Sequence, residues 1–209
     1  MIGPSARSGP PARPQATRTA TPPATPPATP PPDPAASIAP VHETDEDVRA
    51  LQALLDRSYD VAGPHLRSII TPERRVTASE LVEFLTGMRL LALATVTADG
   101  RPIVGPVDGI FYRGAFHFSS GSDSLRFAHI RARPDVSATH LPSEEFAVTV
   151  HGRAEFVDVR EPEGAGLRRT LLEVYVPRYG PEWEEFLDGI GVYARIEARR
   201  MFTFRMVDE

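Results

Sequence analysis

The chain has 209 residues, a formal net charge of −5, no cysteine, and 23 basic residues that are all arginine. Without lysine or cysteine it has no Schiff-base amine, P-loop, thiolate nucleophile, disulfide or cysteine-ligated metal. The acidic balance also disfavours a nucleic-acid partner, because domains that bind nucleic acid normally carry a basic face.

The first 40 residues are rich in proline and are predicted to be disordered. They contain 13 of the 22 prolines, and a Thr-Pro-Pro-Ala near-repeat covers residues 20–31. Such a segment has almost nothing apolar to bury, so it should stay extended. It lacks the apolar stretch of a secretory signal, and no part of the chain is long and apolar enough to span a bilayer. We therefore expect a cytoplasmic protein without a membrane partner, with an export or modification segment as the alternative for the tail.

The folded part is predicted to begin with a helical extension over residues 41–77, followed by the main domain over residues 78–209. Thr44 and the acidic residues after it predict the start of the first helix, because carboxylates favour the positive end of a helix dipole. Thr77 and Glu80 form a capping-box pattern, which predicts a second, shorter helix.

From Met88 onward the sequence is mostly of β type. Asp99-Gly100 is a strong hairpin signal between two strands. Phe116 and Phe118 then alternate with polar residues, as a strand with one buried face requires. Gly152, within the longest predicted strand, indicates a β-bulge or a close approach of another backbone.

The last part of the chain contains both helical and β patterns. Residues 162–188 are predicted to be helical or irregular, interrupted at Pro177 and Pro181, and two short strands, 191–197 and 201–206, are predicted to close the chain. At least six strands thus follow one another at hairpin spacing, and the helices do not alternate with them. This pattern predicts a mainly β (α+β) fold, a small antiparallel barrel with peripheral helices, and argues against parallel βαβ units.

Serines and arginines cluster in the segment that follows the third predicted strand. The serines are Ser119, Ser120, Ser122 and Ser124, and the arginines are Arg126, Arg131 and Arg133. If the segment is helical from Ser124 onward, its first amides and the hydroxyls can hold a phosphate, with Arg126 making a charge-assisted contact. The alternative is that these arginines only solvate an exposed helix face.

Other reactive side chains form no tight pattern. Histidines occur on separate elements, at His117, His129, His140 and His151. Their spacing fits no known ligand motif, so no metal site is predicted. Gly121-Ser122 does not form the nucleophile elbow of a serine hydrolase. Trp183 is interpreted either as a core or interface aromatic or as part of a ligand wall.

Three segments match one known pattern in order and spacing. They are LATVTADGRPIVGPVDG (93–109), GAFHFSSGSDSLRFAHIRARPDVSATH (114–140) and FAVTVHGRAEF (146–156). On these segments the chain resembles the pyridoxamine-phosphate-oxidase-like split-barrel flavoproteins over residues 78–207. The resemblance implies a six-stranded split β-barrel that forms a homodimer, with FMN or the deazaflavin coenzyme F420 bound across the subunit interface.

Carried over by position, the resemblance also implies a set of cofactor-binding residues. They are Pro106, Val107, Asp108, Ser119, Ser120, Ser124, Arg126 and Phe127. Ser124 and Arg126 match the phosphate grip of the family. The backbone of Pro106 to Asp108 falls where the second strand lines the flavin or deazaflavin ring.

The second strand also departs from that of true pyridoxamine-phosphate oxidases. Gly105 to Ile110 stands where those enzymes have a charged FMN-binding pattern, so vitamin B6 oxidation is not expected. The leading hypothesis is an FMN- or F420-dependent oxidoreductase that moves a hydride between the cofactor and a small organic substrate. No catalytic residue is assigned; His117, a bound water or Asp108 are the candidate proton donors. The alternatives are a non-catalytic flavin-, F420- or haem-binding carrier or sensor, and a structural dimer without a ligand.

Overall fold

A computed structural model describes residues 42–207, so the predicted proline-rich tail lies outside the described residues. The strands are β1 (Met88–Val96), β2 (Pro102–Tyr112), β3 (Ala115–Ser119), β4 (Asp135–His140), β5 (Phe146–Asp158) and β6 (Val192–Arg205). The helices are α1 (Asp45–Asp60), α2 (Pro64–Ile69), α3 (Ala78–Phe84), α4 (Leu125–Ala132), α5 (Ala165–Tyr179) and α6 (Trp183–Ile190). Single 3-10 turns occur at Pro72–Arg74 and Pro162–Gly164.

The six strands form a closed antiparallel barrel in the order β1-β2-β3-β6-β5-β4. The closing seam pairs Ala92 to Ala94 of β1 with Thr139 to Ser137 of β4. The mainly β antiparallel barrel predicted from the sequence is therefore confirmed, and so is the six-stranded barrel that the resemblance implies.

Alternation along the strands separates the barrel interior from its outer face. Phe116 and Phe118 of β3 are buried inside with Leu91 and Leu93 of β1. Outward-facing residues of β2 and β6, with Val159 just after β5, meet α5 and α6 in a second apolar cluster that includes Ile110, Val159, Leu171, Leu187 and Tyr193. Helices α5 and α6 therefore cover part of the outside of the barrel.

The tight turns follow the sequence signals. Gly100 has a φ of 83°, and the reversal between β2 and β3 places Arg113 and Gly114 at φ values of 52° and 75°. Two consecutive residues with positive φ are typical of a type I′ hairpin turn. Gly114 suits such a position because it has no Cβ.

Helix α1 begins as predicted, and it is tied to the last strand of the barrel. The Thr44 hydroxyl accepts the Asp47 amide and the Asp47 carboxylate accepts the Thr44 amide, which completes a capping box. Further along the helix, the Ser58 hydroxyl accepts the Met201 amide at 2.9 Å and the Tyr59 hydroxyl accepts the Thr203 amide at 2.9 Å. These side chains satisfy β6 amides beside the barrel. The division of the chain at residue 77 stays a prediction.

Two features differ from the sequence prediction. Helix α5 continues through Pro177 to Tyr179 and ends at Gly180, whose φ is 93°. Pro177 is tolerated there because it lies in the last turn and removes a single intrahelical hydrogen bond. The two predicted closing strands are one strand, β6, because a bulge opposite Gly152 lets pairing with β5 continue. Among the described residues, no helix is long and apolar enough to cross a membrane.

Candidate functional site

The guanidinium of Arg126 links three elements at one corner of the barrel. Nη1 donates to the Ser120 hydroxyl at 3.3 Å, just beyond the end of β3. Nη2 donates to the Pro106 carbonyl oxygen of β2 at 3.1 Å. Arg126 itself lies in the first turn of α4. The structure thus brings Pro106, Ser120 and Arg126 into direct contact.

The position of Arg126 follows from how α4 is anchored. The Ser124 hydroxyl caps the helix by accepting the Phe127 amide at 3.2 Å. The Phe127 side chain is 0% exposed, and its ring lies 5.1 Å from that of Phe156 and 6.4 Å from that of Phe118. Because Phe127 fills the end of the barrel, its neighbour Arg126 is held at the rim.

Gly105 leaves the room that the Arg126 guanidinium needs. A Cβ built on Gly105 would lie 3.0 Å from Nη2 of Arg126, which is closer than almost all real contacts of this kind. A Cβ at position 105 would therefore require the guanidinium to shift slightly. The sequence motif did not single out this glycine, although it lies one residue before Pro106.

The charge of Arg126 is not neutralised locally. Partial burial lowers the pKa of its guanidinium, but arginine keeps its proton at physiological pH. Within residues 42–207, Arg126 forms no ion pair, and it has more N–H donors than its two hydrogen bonds use. A half-buried cation with free donors is suited to a phosphate or carboxylate group.

The other two arginines of the predicted cluster do not join this corner. Arg131 donates to the Ser122 carbonyl oxygen at 3.0 Å, and its guanidinium lies 5.3 Å from the ring of Phe156. Arg133 donates to the Val96 carbonyl oxygen at 3.0 Å. Proximity in the sequence therefore overestimated the number of guanidinium groups that converge.

The remaining predicted cofactor residues differ in what they offer. The Ser119 hydroxyl donates to the Val192 carbonyl oxygen at 2.9 Å, so its hydrogen is already used. Val107 is buried in the barrel interior, whereas Pro106 and Asp108 are exposed on the outer face of β2. The exposed β2 backbone and the Ser120, Ser124 and Arg126 side chains are what this corner presents to a ligand. Their assignment to a cofactor stays a prediction.

Asp108 also has two tyrosine neighbours that the sequence motif did not include. Burial raises the pKa of Tyr175 and of Tyr193, and the nearby Asp108 carboxylate raises both further. Tyr193 pairs with Ser119 across β3 and β6, so these groups lie beside the Arg126 corner. Only the tertiary structure brings α5 and β6 to this place.

His117 is poorly suited to donate a proton. Its Nδ1 lies 3.1 Å from the Ala115 carbonyl oxygen, which can only accept, so Nδ1 carries the hydrogen. Burial, opposed by the Ala115 hydrogen bond and assisted by the nearby Arg195 charge, lowers the pKa of His117 to about 4. The imidazole is therefore neutral and enclosed at physiological pH.

The family of the chain follows from comparison with known sequences. The sequence profile described as pyridoxamine 5'-phosphate oxidase matches residues 77–201. The chain belongs to this family. The matched range includes β1 to β5 and most of β6, so the whole Arg126 corner lies within it. No curated protein matches the chain in sequence.

Several solved structures have a similar fold. The conserved hypothetical protein Rv2991 from Mycobacterium tuberculosis is 25% identical, with a TM-score of 0.53 over 64% of this chain and 88% of that chain. A FAD-binding protein from Mesorhizobium loti is 24% identical, with a TM-score of 0.46 over 64% of this chain and 98% of that chain. A haem-binding protein from Mycobacterium smegmatis is 19% identical, with a TM-score of 0.44 over 58% of this chain and 54% of that chain.

Proposed function

We propose that this member of the pyridoxamine 5'-phosphate oxidase family is a cytoplasmic, homodimeric oxidoreductase that uses FMN or the deazaflavin coenzyme F420. The observation that carries the proposal is the Arg126 guanidinium. It has no counter-charge among the described residues, is held by Ser120 and Pro106, and lies against exposed β2 backbone. An anion-binding cation beside an open strand suits a cofactor with a phosphate at one end and a flat ring at the other.

The residues of the corner fit such a group. Arg126 and the Ser120 and Ser124 hydroxyls would hold the phosphate, and the outer face of β2 near Pro106 and Asp108 would support the ring. When bound, the flavin or deazaflavin would supply the hydride chemistry. The protein would contribute the charge of Arg126, hold the cofactor in one orientation, and provide a surface on which a bound substrate excludes water.

Vitamin B6 oxidation is not part of the proposal. The β2 segment Gly105 to Ile110 carries no basic side chain. Among residues 42–207, Arg126 is therefore the arginine that would supply the positive charge at this corner. A site with a single phosphate-binding arginine is compatible with F420 or with weakly bound FMN. A small organic molecule remains the proposed substrate.

Exposed apolar side chains near the corner support the proposed homodimer. Leu90 is 59% exposed, Val104 65% and Leu125 78%. Leu90 faces Asp108 across the β1–β2 pairing, and Leu125 precedes Arg126. A second copy that covered these side chains would also enclose the ring end of the cofactor site. Light scattering on the purified chain tests the oligomeric state, and a monomer at micromolar concentration would contradict this part of the proposal.

Cofactor titration tests the main proposal. The purified protein is titrated separately with FMN and with F420 and followed by absorbance or fluorescence. Arg126→Ala should weaken binding of the preferred cofactor by about 1.5–3 kcal/mol, which is roughly ten- to a hundredfold, because it removes a hydrogen bond to a charged group. Arg131→Ala is the matched control, since Arg131 lies on the same helix and contacts a carbonyl and aromatic rings instead. Equal losses in both variants, or none in Arg126→Ala, would contradict the assigned corner.

The second candidate function is a non-catalytic carrier or sensor for flavin, F420 or haem. It is favoured by the state of His117, the histidine among the candidate proton donors, which is enclosed and 4% exposed. Of the candidate haem ligands His117, His140 and His151, His151 is the exposed one, whereas His140 is buried with Nδ1 2.9 Å from the Leu90 carbonyl oxygen. Stable cofactor binding without turnover of the reduced cofactor by any electron acceptor supports this candidate, and a Soret band would identify haem.

A further inference from the structure

A groove of about 570 Å³ opens where the barrel seam between β1 and β4 ends. The two strands pair only at Ala92 to Ala94, and beyond this point they separate. Thr95 and Val96 then form one side of the groove and Asp135 and Val136 the other, with β5 and β6 at its rim. This volume lies in the range of small-molecule sites, roughly 300–1,000 Å³.

A β-bulge brings two consecutive arginines to this rim. His151 pairs with Arg200 and Gly152 pairs with Ala198, so Arg199 is an extra residue of β6 without a partner on β5. A Cβ on Gly152 would lie 2.2 Å from the Glu197 carbonyl oxygen, so only glycine fits opposite the bulge. In a regular strand neighbouring side chains point to opposite faces, whereas here both Arg199 and Arg200 line the groove.

The rim carries an uncompensated positive charge. Arg199 forms an ion pair with Asp135 at 2.9 Å. Arg200, by contrast, has no ion pair within residues 42–207. His151 stands opposite Arg200, and its Nδ1 lies 2.8 Å from the Ser137 hydroxyl. When that hydroxyl donates to Nδ1, Nε2 carries the hydrogen and is a second donor beside Arg200.

The walls of the groove are largely apolar. Ala94 and Val96 of β1, Pro102 of β2 and Val136 of β4 contribute aliphatic lining to the groove. A ligand that contacts both the apolar walls and the arginines of the rim needs an apolar body and one anionic group. Arginine suits that group because its planar guanidinium matches the geometry of carboxylates and phosphates.

We propose that this groove binds a small organic anion, a carboxylate or phosphate monoester with an apolar body, whose charged group contacts Arg200 and His151. The site is separate from the Arg126 corner, because Pro102 and Pro106 are four residues apart on β2, roughly 13 Å along an extended strand. Residues 1–41 carry three arginines and one aspartate, so their charge disfavours them as the occupant of a basic groove.

Calorimetric titration of the full chain with octanoate, octyl phosphate and octanol tests the proposal. Octanoate or octyl phosphate should bind with 1:1 stoichiometry, and the tighter of the two identifies the anionic group. Arg200→Gln should weaken that binding at least tenfold, while Arg49→Gln, which removes another exposed arginine from α1, should leave it unchanged. Arg126→Ala should also leave it unchanged, which separates this site from the proposed cofactor site.

Four binding results would overturn the proposal, and one spectroscopic result would also do so. They are no binding of either anion, equal binding of octanol, equal affinity in Arg200→Gln, and a change of oligomeric state in Arg200→Gln without any anion binding. The last result would show that the groove contacts a second copy of the chain. A Soret band of the purified protein that is lost in His151→Ala would show that the groove binds haem instead of a small organic anion. Arg200 is exposed, so the substitution leaves the core intact, and circular dichroism confirms folding of each variant.

Discussion

The pH dependence of stability should report on the environment of His117. This side chain is 4% exposed on the outer face of β3, and its Nδ1 hydrogen bond to Ala115 leaves Nε2 as the atom that takes up a second proton. Burial lowers the pKa of His117 from 6.5 to about 4. In the unfolded chain the imidazole regains its ordinary pKa, so below pH 6.5 the unfolded state binds a proton that the folded state does not.

The sign and size of the effect follow from linkage. Because the unfolded state holds more protons, the contribution of His117 to the free energy of unfolding is fully present above pH 6.5 and falls as the pH drops toward 4. One pKa unit corresponds to about 1.36 kcal/mol, which gives a ceiling of about 3 kcal/mol and a loss of about 2 kcal/mol at pH 5.

Urea unfolding followed by tryptophan fluorescence measures this loss. Trp183 is the single tryptophan of the chain, and its ring lies 4.5 Å from that of Tyr175, so unfolding should change its emission. Between pH 7.5 and pH 5, wild type should lose about 2 kcal/mol more than His117→Phe or His117→Gln, neither of which titrates there. The two variants differ in the hydrogen bond that they lose but should share the same pH slope. A difference between wild type and both variants that is independent of pH would refute the reasoning.

Three further predictions concern stability. Gly152→Ala should destabilise the protein by about 1–3 kcal/mol, because its Cβ would collide with the backbone of Glu197. Gly189→Ala is the control: its Cβ would have nothing within 4 Å, so it should stabilise the protein by about 0.4–1 kcal/mol. Thermal melting compares the two variants. Tyr59→Phe should cost about 1–3 kcal/mol in urea titrations, since it leaves a buried β6 amide without an acceptor, and an unchanged midpoint would contradict the role of α1 in holding β6. Hydrogen bonds from Thr77 and Arg205 lower the pKa of Glu80 to about 2, so Glu80→Gln should lower the melting temperature at pH 7, and the difference from wild type should shrink as the pH falls from 4.5 toward 2.

Short-range signals in the sequence were the most reliable. The capping box of Thr77 and Glu80 and the Asp99-Gly100 turn each depend on residues that are close in the chain, and the structure contains both. The alternation around Phe116 correctly predicted a strand with Phe116 and Phe118 inside, but His117 on its other face is buried as well. Gly152 was recognised as the site of a bulge or close approach for the same reason, since glycine in a strand is costly unless space requires it.

Features that depend on distant partners were not predicted. The continuity of β6 past Arg199 is decided by its pairing with β5, which lies more than 30 residues earlier in the sequence. Arg131 and Arg133 follow Arg126 closely, yet each hydrogen-bonds a different backbone carbonyl. The helix turns Arg131 in another direction than Arg126, and Arg133 lies just past the helix with non-helical backbone. The sequence therefore singled out Arg126 for the candidate site but did not predict that Arg131 and Arg133 bind elsewhere.

The lengths of the strand pairings divide the barrel into two leaves, one of β1, β2 and β3 and the other of β4, β5 and β6. Nine residue pairs join β1 to β2 and 13 join β5 to β6, whereas three join β1 to β4 and three join β3 to β6. Amide hydrogens at the two short junctions should therefore exchange with solvent before those within either leaf. Between β1 and β6 the chain passes from the first leaf to the second once, through α4, and Arg126 lies on this connection. A ligand bound to Arg126 and β2 would link α4 to the first leaf. Slower amide exchange along both junctions is the result expected when such a ligand is bound.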